Sequence, residues 1–234
     1  MPKIDLRSSP KFERARTFKH YFMQFRDIES YMKDGKRYYK TADGHSYPSV
    51  TSVLGAKKDK THLDAWIKRV GTDTAEKIKV QAGNRGTAIH TICESYILNE
   101  ERYPDKVMPV NIATFKKIKP VLDTRMGNVY AIEAALFSKT LNTAGRTDCI
   151  AEFDGVLSIV DFKTSLKLKK EEWITDYFLQ ATCYSLMAEE LSTLVIPQIA
   201  IIIAVDEENE AQVFVKPKAE YVDQVHIVFD GSVT

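Results

Sequence analysis

The chain has 234 residues, 44% of them hydrophobic and 28% charged, a length and balance that suit one well-buried domain and exclude a mostly disordered chain. Lys and Arg total 33 against 32 Asp and Glu, so no global positive field draws a polyanion, and attraction to nucleic acid has to come from local clusters. The three cysteines, Cys93, Cys149 and Cys183, lie far apart in apolar-periodic stretches, which points to buried thiols in a reducing compartment and excludes a disulfide framework or a paired-cysteine zinc site.

Residues 1–24 are expected as an N-terminal lead-in, polar and irregular over about the first ten, before a single domain over 25–234. The lead-in is basic in places but lacks an apolar core segment, so a secretory signal is not expected. Lys33-Asp34-Gly35 and Ala42-Asp43-Gly44 place turn signals on either side of the β-prone run Arg37 to Thr41, which predicts a small hairpin or meander. Tyr47 to Gly55 reads as a short helix stopped by Gly55.

Leu63, Trp66, Ile67 and Val70 recur at helical spacing and predict an amphipathic helix ending near Gly71. Ala75, Ile78 and Ala82 predict a second short helix. After Gly83, the stripe Ile89, Ile92, Cys93, Tyr96 and Ile97 predicts a third, which carries His90. Asn111 to Arg125 is a further helix, expected to be kinked or interrupted at Pro120 and peripheral.

From Val129 the period shifts to two. Val129–Phe137, Arg146–Phe153 and Val156–Thr164 predict an antiparallel meander, its last turn being Asp154-Gly155. Lys169 to Leu191 returns to a helical period. Strands Pro197–Val205 and Ala211–Val215 follow around a polar tip, and a helix from about Lys218 to Phe229 ends the pattern. The run Ile199 to Val205 is too short to span a bilayer, so no membrane partner is expected and the protein reads as soluble.

The chemistry-bearing segments are Gly145-Arg146-Thr147-Asp148 and Val160-Asp161-Phe162-Lys163-Thr164. On a strand, Asp161 and Lys163 point to one face and Val160 and Phe162 to the other. If Asp154-Gly155 is a two-residue loop, Phe153 pairs with Val156 and Asp148 falls opposite Asp161. Two converging carboxylates invite a hard divalent cation, magnesium or manganese. That set suits phosphodiester hydrolysis, with Lys163 orienting or helping to deprotonate the attacking water. Spacing alone also describes a plain cross-strand charge cluster on a solvated face.

Together with Pro48-Ser49-Val50-Thr51, Gly86-Thr87-Ala88-Ile89-His90, Glu94, Glu133, Gln180 and Tyr184, these segments resemble the PD-(D/E)XK nucleases of the RecB-like group. Within it the resemblance runs, over about Tyr47 to Val215, to the mitochondrial genome maintenance exonucleases and their bacterial and phage relatives. The resemblance implies a restriction-endonuclease-like α/β fold, a mixed central sheet flanked by helices, with extra N-terminal helices that cover or thread a single strand. It implies a Mg2+- or Mn2+-dependent DNA exonuclease preferring single strands, with Asp148, Asp161 and Lys163 catalytic.

His90, Asp148, Asp161 and the backbone carbonyl of Phe162 are then the expected metal ligands, and Glu133, Gln180 and Tyr184 the supporting residues. The bland readings of the added residues are a buried polar histidine, an outward-facing strand acid and ordinary helix packing. Arg85 and Lys167 are the expected DNA contacts among basic residues that otherwise form a solvated face. Partners would be DNA and replication or recombination proteins, in a bacterial or phage-infected cytoplasm rather than a mitochondrion. The other readings are an endonuclease or double-strand-resecting nuclease on the same fold, and a non-catalytic nucleic-acid-binding protein.

Overall fold

The computed structural model describes residues 9–229. The first turn signal makes a hairpin: β1 (Glu29–Lys33) and β2 (Lys36–Lys40) pair antiparallel around Asp34-Gly35, both at positive φ (49° and 72°). β3 (Ser46–Pro48) completes a small three-stranded sheet. Tyr39 and Tyr47 dock this sheet on Ala135 and Ala144 of the main body.

The helix expected over Tyr47–Gly55 is displaced. α1 runs Val50–Lys57, and Tyr47 and Pro48 belong to β3. The physical reason is the cap: the Ser49 side chain accepts the Ser52 N–H, which starts the helix after Pro48. Gly55 lies inside the helix instead of ending it, and a Cβ added there would meet nothing within 4 Å.

α2 (Thr61–Val70) ends at Gly71, whose φ of 85° suits glycine. The two helices expected around Gly83 are one, α3 (Thr72–Ile97, 26 residues). A helical glycine costs about 1 kcal/mol relative to alanine, a penalty that one continuous hydrogen-bonded ladder absorbs. No residue of α2 is buried, and of residues 72–85 only Ala75 is, so α2 and the first half of α3 form an exposed arm, while the second half of α3 is packed into the core.

α4 (Pro109–Arg125) passes through Pro120 without a break and is not peripheral. Phe115, Ile118 and Leu122 are fully buried, and that burial outweighs the lost hydrogen bond.

β4 (Met126–Ser138), β5 (Thr143–Phe153) and β6 (Val156–Ser165) form the expected antiparallel meander. After a 3-10 turn at Glu171–Trp173, α5 (Thr175–Leu191) crosses over to β7 (Gln198–Val205), which lies parallel to β6. β8 (Gln212–Pro217) pairs antiparallel with β7, and α6 (Val222–Phe229) follows a second 3-10 turn. α5 and α6 begin later than the sequence period suggests, because a 3-10 turn precedes each.

The sheet order is β4-β5-β6-β7-β8. One face packs Ile150, Ile159, Ile199, Ile201 and Ile203 under Phe178 and Met187 of α5. The other packs Cys149, Val160, Phe162 and Ile202 under α3 and α4. This two-sided mixed sheet is a restriction-endonuclease-like α/β architecture. Residues 9–28 form a strap that bonds the end of α3 and the following turn through Pro10, Phe12 and Arg14, then runs along the outer edge of β4 from Lys19 to Met23. Phe12 and Phe18 enter the second core, and Val129 exchanges main-chain bonds with Lys19 (2.9 Å) and Tyr21 (2.8 Å), which protects an otherwise open sheet edge. All three cysteines are free and buried. No helix among the described residues is long and apolar enough to cross a membrane.

Candidate active site

The positive-φ pair Asp154 (53°) and Gly155 (78°) closes a two-residue loop, and Phe153↔Val156 through Cys149↔Val160 fix the register. Alternation then puts Asp148 on the side of Ile150, and Asp161 and Lys163 on the side of Ile159, one face for all three. The β5–β6 ladder stops at Cys149↔Val160. Beyond it, the Phe162 N–H donates to Asp148 Oδ2 at 2.7 Å, so an acid side chain takes the place of the neighbouring strand's carbonyl. The Phe162 carbonyl points to the same side as its N–H and so lies on the Asp148 side of β6.

Lys163 Nζ donates to Asp161 Oδ2, and Asp161 is only 1% exposed. Gln180 Nε2 lies 3.5 Å from Asp161 Oδ1 and 3.3 Å from the Tyr184 hydroxyl, as two residues one helical turn apart on α5 can. Lys163 Nζ sits 5.2 Å from the centroid of the Tyr177 ring. Burial pushes Asp161 up to about 6, helped by Asp148 and opposed by Lys163. Burial works against the Lys163 ammonium, yet Asp161 and Asp148 together hold its pKa above the ordinary value. Gly145 is required here: a Cβ on it would meet Tyr184 Cε1 at 2.5 Å.

A second group adjoins the first. His90 Nδ1 lies 3.1 Å from Asp148 Oδ1, and ligand atoms of His90, Glu133 and Asp148 all fall within 4.8 Å of one another. Glu133 reaches this spot from a backbone φ of 48°, rare for a non-glycine residue, and Arg146 donates to its carbonyl. Burial, with Asp148 and Glu94 nearby, raises Glu133 to about 7. Burial lowers His90, but Asp148 outweighs it and the imidazole rises to about 8. Asp148 is held below the usual carboxylate range despite burial, by His90, Lys163 and the Phe162 N–H.

The donor set fits a divalent ion. Two carboxylates and one imidazole give an oxygen-dominated set of the kind hard divalent cations take, and Glu133, raised by burial and by the nearby Asp148, is the member that a cation would relieve. Asp161, expected as a ligand, turns instead towards Lys163 and Gln180, while Glu133, expected as support, is near enough to share an ion with His90 and Asp148.

His90, Glu133, Asp148, Gln180 and Tyr184 border a cleft of about 560 Å3, behind whose lining Asp161 and Lys163 lie. Ser49 and Thr51 at the start of α1, Thr87 on α3, and Arg37 of β2 also line it. Arg85 and Lys167 do not. Arg85 forms an ion pair with Asp206, and the Lys167 main chain bonds the Ser165 hydroxyl. Sequence reasoning missed Arg37 and Tyr177. Tyr177 lies one helical turn before Gln180, a spacing that could have found it; Arg37 reaches the cleft only through docking of the small sheet, which no local pattern shows.

No family model matches the chain. The chain is similar to mitochondrial genome maintenance exonuclease 1 of Homo sapiens, 30% identical over 130 residues, which cover 52% of this chain and 38% of that protein. It is likewise similar to the Mus musculus protein of that name, 28% identical over 132 residues, 53% of this chain and 39% of the other. The match thus spans under two fifths of each curated relative's length. The likeness is to proteins named as exonucleases, and it is distant and partial.

Proposed function

We propose that the chain is a metal-dependent DNA exonuclease of the PD-(D/E)XK type, using Mg2+ or Mn2+ and preferring single strands. The observation that carries this reading is the convergence, on one sheet face, of Asp148 and the Asp161–Lys163 pair beside a ligand group completed by His90 and Glu133. The similarity to exonucleases supports the class of reaction.

His90, Glu133 and Asp148 would hold the ion, with Asp161 and the Phe162 carbonyl beside them. Bound there, a divalent cation supplies Lewis acidity at the scissile phosphate. Lys163 keeps its proton, because the two acids raise its pKa. It therefore acts as a fixed cationic donor that orients the attacking water and stabilises charge on the phosphoryl oxygens. Asp161 fixes the ammonium, and Gln180 in turn sets the Asp161 carboxylate. Thr87 and the α1 hydroxyls offer neutral donors to a strand lying in the cleft.

End-labelled single- and double-stranded DNA, incubated with Mg2+ or Mn2+ and with excess EDTA, tests the proposal. Wild type is expected to shorten single strands from an end only when metal is present, and to leave covalently closed circles intact. Lys163→Ala is expected to slow cleavage by about 10²- to 10⁴-fold. Cutting of circles would favour an endonuclease, and full activity in EDTA or in Asp161→Ala would overturn the assignment.

A further inference from the structure

We propose that the cavity between the N-terminal strap and β4 is a nucleobase subsite, which receives the heterocycle of a nucleotide flanking the scissile phosphate. This rests on the nuclease reading above and extends it from the phosphate to a base.

The cavity, of about 320 Å3, adjoins the acidic cleft, since Glu94, Glu133 and Arg146 line both. That volume is at the small end of ligand pockets and suits one flat ring. Its strap side is aromatic: Phe22 and Phe25 face Ile132 of β4 and Leu98 at the end of α3. Phe22 is 51% exposed, an apolar ring left half in water beside a site otherwise built of charge.

The ring is held in place. The His20 imidazole stacks on it at 4.9 Å with an interplanar angle of 18°. His20 Nε2 is itself 2.8 Å from the Ile97 carbonyl, and the strap on either side of Phe22 is fixed by the Tyr21 and Met23 N–H groups, which donate to Val129 and Tyr130 at 2.8 Å. A pre-positioned aromatic face next to a reacting phosphate is the arrangement that stacks a base without reading its identity.

The polar lining selects the same occupant. Asp27, Glu94 and Glu133 present acceptors, and the cation among the lining residues, Arg146, already donates to Asp27 and to the Glu133 carbonyl. Such a lining repels a second phosphate and accepts a neutral ring bearing N–H donors. Glu94, Glu133 and Arg146 border both spaces, so a nucleotide lying across them sends its base to one side and its phosphate to the other.

Abasic scanning tests this. Single-stranded oligonucleotides carrying one abasic position, walked along the strand from the attacked end, are cleaved by wild type, Phe22→Ala and Phe22→Trp. In wild type, one position near the cut is expected to raise KM by about 10-fold when its base is removed. In Phe22→Ala the intact strand should show that same loss and the abasic penalty should vanish, while Phe22→Trp restores both. 2-Aminopurine at that position should be quenched on binding to wild type. The wild-type scan and the quenching decide the matter even if Phe22→Ala folds poorly. A flat scan and unquenched 2-aminopurine in a wild-type protein that cuts DNA would overturn the subsite and leave the nuclease reading standing. Absence of cleavage and of quenching together would remove both.

Discussion

The Asp161–Lys163 pair is a buried ion pair whose two members depend on each other. Lys163→Ala leaves Asp161 without its cation in a site where burial already raises it to about 6; the carboxyl then rises further and takes up a proton near neutral pH. Glu133 behaves differently, because its carboxylate forms no ion pair with a Lys or Arg among the described residues and its backbone is strained. Glu133→Gln removes a crowded acid, so it is expected to raise the melting temperature of the metal-free protein at pH 8 while weakening Mn2+ binding by 10-fold or more, on the order seen for lost metal partners. Calorimetry on the two proteins checks both halves; a variant with wild-type manganese affinity would show that Glu133 is not a ligand. At this scale the sequence was readable where strand alternation decides, as for Asp148, Asp161 and Lys163. It was not readable at Glu133, whose direction comes from a φ of 48° that no residue pattern announces. Nor did it reveal that Arg85 is paired with Asp206, since residues 121 positions apart meet only through the fold.

Among the elements, β5 and α5 have to approach closely for Asp161 and Gln180 to meet, and Gly145 is where they do. Gly145→Ala places a methyl 2.5 Å from Tyr184 Cε1 and is expected to cost about 1–3 kcal/mol in stability and to slow cleavage, by moving α5 and Gln180. Denaturant unfolding checks the first. The double variant with Tyr184→Leu should recover most of the stability, and no recovery would mean that the contact is not the cause. On the exposed arm the opposite holds. A methyl on Gly83 would meet nothing within 4 Å, so Gly83→Ala should stabilise α3 by about 1 kcal/mol, as hydrogen exchange along the arm would show. The strands of the meander were legible because β-branched alternation and Asp154-Gly155 act locally. The continuity of α3, the passage of α4 through Pro120 and the capture of Tyr47 and Pro48 by β3 were not, because hydrogen-bond continuity, burial and the Ser49 cap overrode the local breakers.

For the molecule as a whole, the site makes stability depend on pH and on metal together. Asp161 at about 6, Glu133 at about 7 and His90 at about 8 all stand above their ordinary values of 3.8, 4.5 and 6.5. The native state therefore binds these protons more tightly than the unfolded chain does, and the stability they contribute is present at low pH and lost as pH rises through each folded value. The metal-free protein should melt at progressively lower temperature between about pH 4 and pH 8, with the lowered Asp148 acting in the opposite sense only at more acid pH. Manganese should raise the melting temperature more at pH 8 than at pH 6, since its ligands must be free of protons. A flat profile in EDTA would contradict this coupling. The architecture followed from the alternation of periods along the chain, whereas the packing of the strap and the small sheet against β4 and β5 depends on long-range contacts.

Isothermal titration of Mn2+ into the wild-type protein and into Asp148→Asn, in two buffers of different ionisation enthalpy at pH 7, tests the central claim most directly. The arrangement of His90, Glu133 and Asp148 predicts saturable binding that releases protons and is lost or at least 10-fold weaker in the variant. Equal binding by both proteins, or none by either at millimolar manganese, would contradict it.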